Sequence, residues 1–131
     1  MGAFDVLRIA SSSLGFHQTW LDTLANNIAN VNTIKPTSGS AFQAQSVVAQ
    51  AQQGGGVEVA GIAEGDPTGR LEYQPDNPLA DADGNVRAPD IDMATQMTQL
   101  VMAQRGFQAS VQVTKDAQET YQSALSIGRN S

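Results

Sequence analysis

One histidine (His17), three consecutive serines (Ser11-Ser12-Ser13) and an acidic run (Asp81-Ala-Asp83-Gly-Asn85) are where catalysis or metal binding would have to begin in this chain. A nucleophilic serine needs a base within hydrogen-bond reach, and no motif places one beside the triplet. His17 falls within an apolar helical pattern, where an imidazole serves as a packing residue. No second histidine and no cysteine accompanies it to complete a zinc site. The acidic run alternates oxygens as a calcium loop does, with Asp92 at the twelfth position. Its glycine stands at the fourth position instead of the sixth, and a calcium loop closes on glutamate. A surface turn is the better reading. Gly54-Gly55-Gly56 lacks the Gly-Lys-Ser/Thr of a phosphate loop and reads as a flexible break. No enzyme, no cofactor and no bound metal is expected.

Amide chemistry remains. Leu24-Ala-Asn-Asn-Ile-Ala-Asn-Val-Asn-Thr33 sets four asparagines into the stretch from Asn26 to Asn32. Asparagine is a poor helix former, because its short amide competes for nearby main-chain groups. Amides also donate and accept at once. Asn26, Asn27 and Asn30 lie within about one turn, where they could bond the chain leaving the helix and neighbouring molecules, or simply form a frayed helix end rich in turn formers.

The elements that position these amides are two long helices. Leu7, Ala10, Leu14, His17, Leu21, Leu24, Ile28 and Val31 follow one another at three and four, a heptad seam. The spacing predicts a helix over 5–31, about 40 Å long. In the last third, Pro89 with Asp90 or Asp92 signals a helix start. Met93, Met97, Leu100, Gln104, Phe107, Val111, Thr114, Gln118, Tyr121 and Leu125 continue at three or four. Beside them Ala103, Ser110, Ala117 and Ala124 recur every seven residues, a strip that lets another helix approach closely. Gly128 is the expected C-cap. Gly15 and Gly106 interrupt the two helices at about 1 kcal/mol each.

Between the helices the pattern changes. Residues 36–40 read as a loop, and 57–62 and 70–73 alternate as strands. Asp83-Gly84 signals a tight turn before Val86. Residues 42–53 are extended or helical. The fold class is therefore α+β, mainly α: an N-terminal helical segment over 1–34, a β-rich middle module over 35–89, and a C-terminal helical segment over 90–131 pairing with the first.

Composition narrows the function. Leu, Ile, Val and Phe together number 28 of 131 residues, so a self-contained core would be thin. The net charge of −6 is concentrated: residues 58–92 hold nine acids against Arg70 and Arg87, while the ends are nearly neutral. Without a basic stripe, nucleic acid is not an expected partner. The opening residues do not read as a cleavable secretory signal, and no segment reaches the length of a membrane span. Direct membrane insertion is not expected. Two helices with apolar seams and little else to cover them call for partners.

The asparagine-rich stretch from Leu24 to Thr33 closely resembles the N-terminal signature of bacterial flagellar axial proteins, the rod and hook subunits. Asn77-Pro-Leu-Ala-Asp-Ala-Asp-Gly-Asn-Val86, Pro89-Asp-Ile-Asp92, and the run from Met97 through Ala103-Gln-Arg105-Gly-Phe-Gln-Ala109 to Gly128-Arg129 resemble the C-type subunits of the proximal rod. The resemblance spans nearly the whole chain. Ile34-Lys-Pro-Thr-Ser-Gly39 stands where many axial proteins have a Gly-Tyr turn, Asn85 where an aromatic is common, and Ser110 where an asparagine is common.

The resemblance implies a structural subunit of the basal-body rod, which spans the cell envelope and serves as drive shaft for motility. Its terminal helices would pack as a coiled coil lining a helical tube. The partners implied are the chain itself, other rod subunits and the flagellar type III export apparatus, which passes subunits unfolded without cleaving a signal. The expected assembly interface comprises Leu7, Leu14, Leu21, Leu24, Asn26, Asn27, Ile28, Asn30 and Val31 on the first helix. On the second it comprises Leu100, Ala103, Phe107, Ser110, Val111, Ala117, Tyr121 and Leu125. The alternative is a soluble two-helix adaptor or secretion-associated chaperone. There are two further expectations: the acidic middle lies on the outside of the tube, and the terminal helices order only on assembly.

Overall fold

A computed structural model describes residues 2–131. The element order is α1 (Ala3–Ala29), β1 (Gln45–Ala51), β2 (Val57–Glu64), β3 (Arg70–Tyr73), β4 (Asn85–Ala88) and α2 (Met93–Asn130). Two long helices thus flank two separate two-stranded sheets, β1-β2 and β3-β4. The α+β, mainly α architecture expected from the sequence is the one observed, and residues 42–53 resolve as extended chain around β1.

The chain divides into two compact units. The first comprises Met1–Leu21, Val47–Gly61 and Val101–Ser131, and the second comprises Asp22–Ser46 and Ile62–Leu100.

In the second unit the core is small and local. Leu24, Ala41, Val86, Ala88, Pro89 and Ile91 are buried. Strands β3 and β4 pair antiparallel, with Leu71 opposite Arg87 and Glu72 opposite Val86. The β4 side chains alternate, so Val86 and Ala88 point inward. Arg87, on the other face, ties down two loops. Its guanidinium donates to the carbonyls of Thr68 (2.5 Å) and Thr37 (2.8 Å), while its main chain exchanges bonds with Lys35. The 36–40 loop is thereby fastened to the sheet.

The acidic run is a turn. The Asp81 carboxylate accepts main-chain N–H groups from Asp83 (3.0 Å) and Asn85 (2.9 Å) and the Thr37 hydroxyl (2.9 Å). These bonds hold its pKa below the usual carboxylate range, the Asn85 N–H foremost. Asp92 starts α2: it accepts the Ala94 N–H at 3.3 Å, satisfying an orphan donor of the first turn, and the Thr95 hydroxyl at 2.6 Å. Of the two aspartates that could begin this helix, Asp92 is the cap.

Two expected boundaries move. α1 stops at Ala29, so Val31 lies in the turn beyond it. The Asn30 N–H is shared by the carbonyls of Asn26 and Asn27, which tightens the last turn, and its side chain covers the Asn26 carbonyl at 2.9 Å. At the other end Gly128 is not a C-cap. α2 runs through it to Asn130, because nothing among the described residues forces the chain to turn there.

Candidate assembly surface

In the first unit α1 and α2 run antiparallel, as three contacts establish. Phe4 meets Tyr121 with ring centroids 6.5 Å apart, Ser13 meets Ser110, and His17 meets Gly106. The small residues make this approach possible. Ala103, Ser110 and Ala117, spaced seven apart, are 0%, 6% and 4% exposed, and they are the buried residues of α2. Ala124, the fourth of the series, is exposed. α1 has already ended there, since Phe4 is level with Tyr121.

Polar groups fix the depth of this contact. A carbonyl can only accept, so the 2.8 Å contact of His17 Nδ1 with the Ser13 carbonyl puts the proton on Nδ1. The Ser110 hydroxyl donates to the Gly106 carbonyl (2.8 Å), which leaves it to accept from the Ser13 hydroxyl (2.9 Å). Every hydrogen then has one acceptor. The His17 ring occupies the space that a side chain on Gly106 would fill. His17 and Gly106 are matched surfaces, and this is the packing role expected of the lone histidine.

By type alone Gly54-Gly55-Gly56 reads as a flexible break. Instead it is an ordered turn gripped by α1. Arg8 donates to the carbonyls of Gly54 (2.9 Å) and Gly55 (3.2 Å). The Ser12 hydroxyl accepts the Val57 N–H at 3.1 Å and donates to the Ile9 carbonyl at 2.7 Å. All three glycines have positive φ, from 90° to 101°, so side chains are strained there. A Cβ on Gly56 would also stand 2.7 Å from the Ser12 oxygen. The spacing of Arg8 and Ser12 on one helical face was readable in the sequence, but its target was not.

The asparagines act in the second unit, and within one molecule. Asn27 is 1% exposed. Its Oδ1 accepts the Gln45 N–H (2.8 Å), while its Nδ2 donates to the Gln45 carbonyl (2.8 Å) and to Gln96 Oε1 (3.0 Å). A side-chain amide thus stands in for a neighbouring strand at Gln45 and reaches the first turn of α2 as well. Asn26 Nδ2 donates to Gln45 Oε1 (3.1 Å), and Asn30 accepts the Thr33 hydroxyl (3.1 Å).

The residues expected at the assembly interface therefore fall into three groups. Leu24, Asn27, Ala103, Ser110 and Ala117 are buried inside the single chain. Leu7, Leu14, Leu21, Ile28, Asn30, Val31, Leu100, Phe107, Val111 and Tyr121 are half-buried. Asn26 and Leu125 are exposed. Other apolar side chains, off the seam, present far more surface: Phe4, Val6, Val101, Met102, Val113 and Ile127. Val6, Ile9, Ala10, Ser13 and Val113 line an open apolar groove of ≈ 360 Å³ in the first unit. Reading a single seam missed this second face, whose signal was the apolar residues left over once the heptads were assigned.

The matched segments coincide with these structures. Residues 7–34, which hold most of α1 and all four asparagines, match the family described as Flagella basal body rod protein. Residues 82–127 match Flagellar basal body rod FlgEFG protein C-terminal. The flagellar basal-body rod protein FlgC of Yersinia enterocolitica is 34% identical over 98% of this chain and 100% of its own length. The chain belongs to the FlgC family of flagellar basal-body rod proteins. The FlgC proteins of Salmonella typhimurium and Bacillus subtilis are 32% and 27% identical, each over 98% of this chain and 100% of the relative. This flagellar rod protein is a structural subunit of the basal body and not an enzyme, and the adaptor reading is not favoured. Among the described residues no helix is long and apolar enough to cross a membrane.

Proposed function

We propose that this rod protein joins copies of itself and other rod subunits through its terminal helices, 1–34 and 90–131, with 35–89 as an outward module. One observation carries the reading: the helices expose large apolar side chains from Phe4 and Val6 to Leu125 (57%) and Ile127 (72%). A lone soluble chain rarely leaves so many on one pair of helices, and such surfaces mark contact sites. Charge supports the same division. Nine acids against two arginines lie in 58–92, and charge stays where water is.

Export through the flagellar type III apparatus belongs to this proposal. Thin burial along α2, where three small residues are buried, suits helices that order fully only on assembly. The test is incorporation. Charged substitutions at Val101 and Val113 are expected to leave the subunit exported but absent from isolated basal bodies. Normal incorporation of both variants would remove these helix faces from the interface.

A further inference from the structure

We propose that the outer edge of β1 pairs antiparallel with β1 of a second copy of this chain, giving the unassembled subunit a four-stranded sheet, β2-β1-β1-β2. Strand parity defines that edge. Gln52 donates its N–H to the Gly56 carbonyl, and Ala44 accepts from the Gly65 N–H, so even-numbered residues of β1 face β2. The odd-numbered ones, Gln45, Val47, Ala49 and Ala51, turn their main-chain groups outward. Asn27 occupies those of Gln45. Val47, Ala49 and Ala51 are left to offer theirs, and residues 48–51 are exposed.

This edge has none of the usual guards against strand addition. No charged residue and no proline occurs from Thr37 to Val57. By contrast β2 is guarded along its length. Ala44 and Gln52 are eight residues apart while their partners Gly65 and Gly56 are nine apart, which places a bulge on the β2 side. Glu58 and Glu64 add charge to β2, and Ser12 occupies its Val57 N–H. The one unguarded strand a second copy can supply is therefore its own β1. Centred on Ala49, the two strands place Val47 opposite Ala51 and form about six main-chain hydrogen bonds. No like charges meet across the pair. A lone two-stranded hairpin is marginal, and added strands increase its stability. The twofold arrangement is closed, so it belongs to the free pool and not to a polar rod. It does not depend on how the helices assemble.

The chain has no cysteine, so introduced ones report cleanly. Val48 and Gln50 form the non-hydrogen-bonded cross-strand pair of this register. Mild oxidation of the full-length Val48→Cys/Gln50→Cys protein should give a covalent dimer and nothing larger. By sedimentation equilibrium, Ala49→Lys should weaken the wild-type dimer about fivefold, by setting two lysines opposite each other. Ala60→Lys, on β2, should leave it unchanged. A wild-type chain that stays monomeric, cross-links that grow into multimers, or equal weakening by both lysine variants would each overturn the proposal.

Discussion

The His17 imidazole stands where a side chain on Gly106 would have to go. On propensity alone, glycine inside α2 costs about 1 kcal/mol against alanine. The contact reverses that sign. His17 is held from behind by the Ser13 carbonyl and cannot swing away cheaply. Gly106→Ala is expected to destabilise by about 1–3 kcal/mol, the cost of overpacking. At Gly15, the interior glycine of α1, an added methyl group would have nothing within 4 Å, so Gly15→Ala should stabilise by up to about 1 kcal/mol. Chemical denaturation of the two variants, run side by side, checks both signs.

Asn27 offers a sharper substitution. Asn27→Asp keeps the shape and the acceptor for the Gln45 N–H but removes the donor to the Gln45 carbonyl and to Gln96. A buried carboxylate then faces two acceptors. The expected loss is about 2–3 kcal/mol, near that of breaking charged or buried hydrogen bonds. Asn32→Asp, in the exposed turn, should change stability by less than about 0.5 kcal/mol. If the two variants melted alike, the clasp would have no energetic content.

At the hairpin tip, Arg8→Ala should raise amide exchange across Gln52–Val57 while changing global stability by less than about 1 kcal/mol, since two part-exposed bonds are lost. Gly56→Ala should cost more, because positive φ and the Ser12 oxygen both oppose a Cβ. Exchange measured by mass spectrometry on the free protein separates the two effects.

Much of the architecture was legible because it rests on periodicity. The seam from Leu7 to Ile28 and the recurrence of Ala103, Ser110 and Ala117 are one-dimensional patterns with one helical solution. Asp83-Gly84 marked its turn by local chemistry, since Gly84 has a positive φ of 78°. What the sequence hid were relations of distance. Gly106 carries no mark of pairing with a histidine 89 positions earlier, and Gly54-Gly55-Gly56 looks like any linker until Arg8 is seen to hold it. Gly128 misled because a C-cap glycine and a helical glycine differ only in the path the chain takes beyond them. The asparagines announced themselves by type, but Gln45 as their target could not be read.

Acid should loosen the second unit first. The Asp81 carboxyl is held below its usual range by the Asn85 N–H, then by the Thr37 hydroxyl. Asp66 is lowered by the Thr68 main chain and side chain, with a smaller effect of Arg87. Asp92 is lowered by the Thr95 hydroxyl. A carboxyl with a lowered folded-state pKa contributes stability that is complete above its unfolded value and is lost as pH falls through the folded one. The turn at Asp81 should therefore be unchanged from neutral pH to about pH 5, then open below about pH 4. NMR shifts of Thr37 and Asn85 should follow this course in the wild type, and Asp81→Ala should show the opened state at neutral pH.

Hydrogen exchange compared on the dilute free subunit and on isolated basal bodies tests the helices' role most directly. Residues 5–32 and 95–128 are expected to be only partly protected in the free chain and to become strongly protected in the rod, with 58–86 changing little. Protection gained in 58–86 while both helices stay exchangeable in the rod would contradict assembly through the terminal helices.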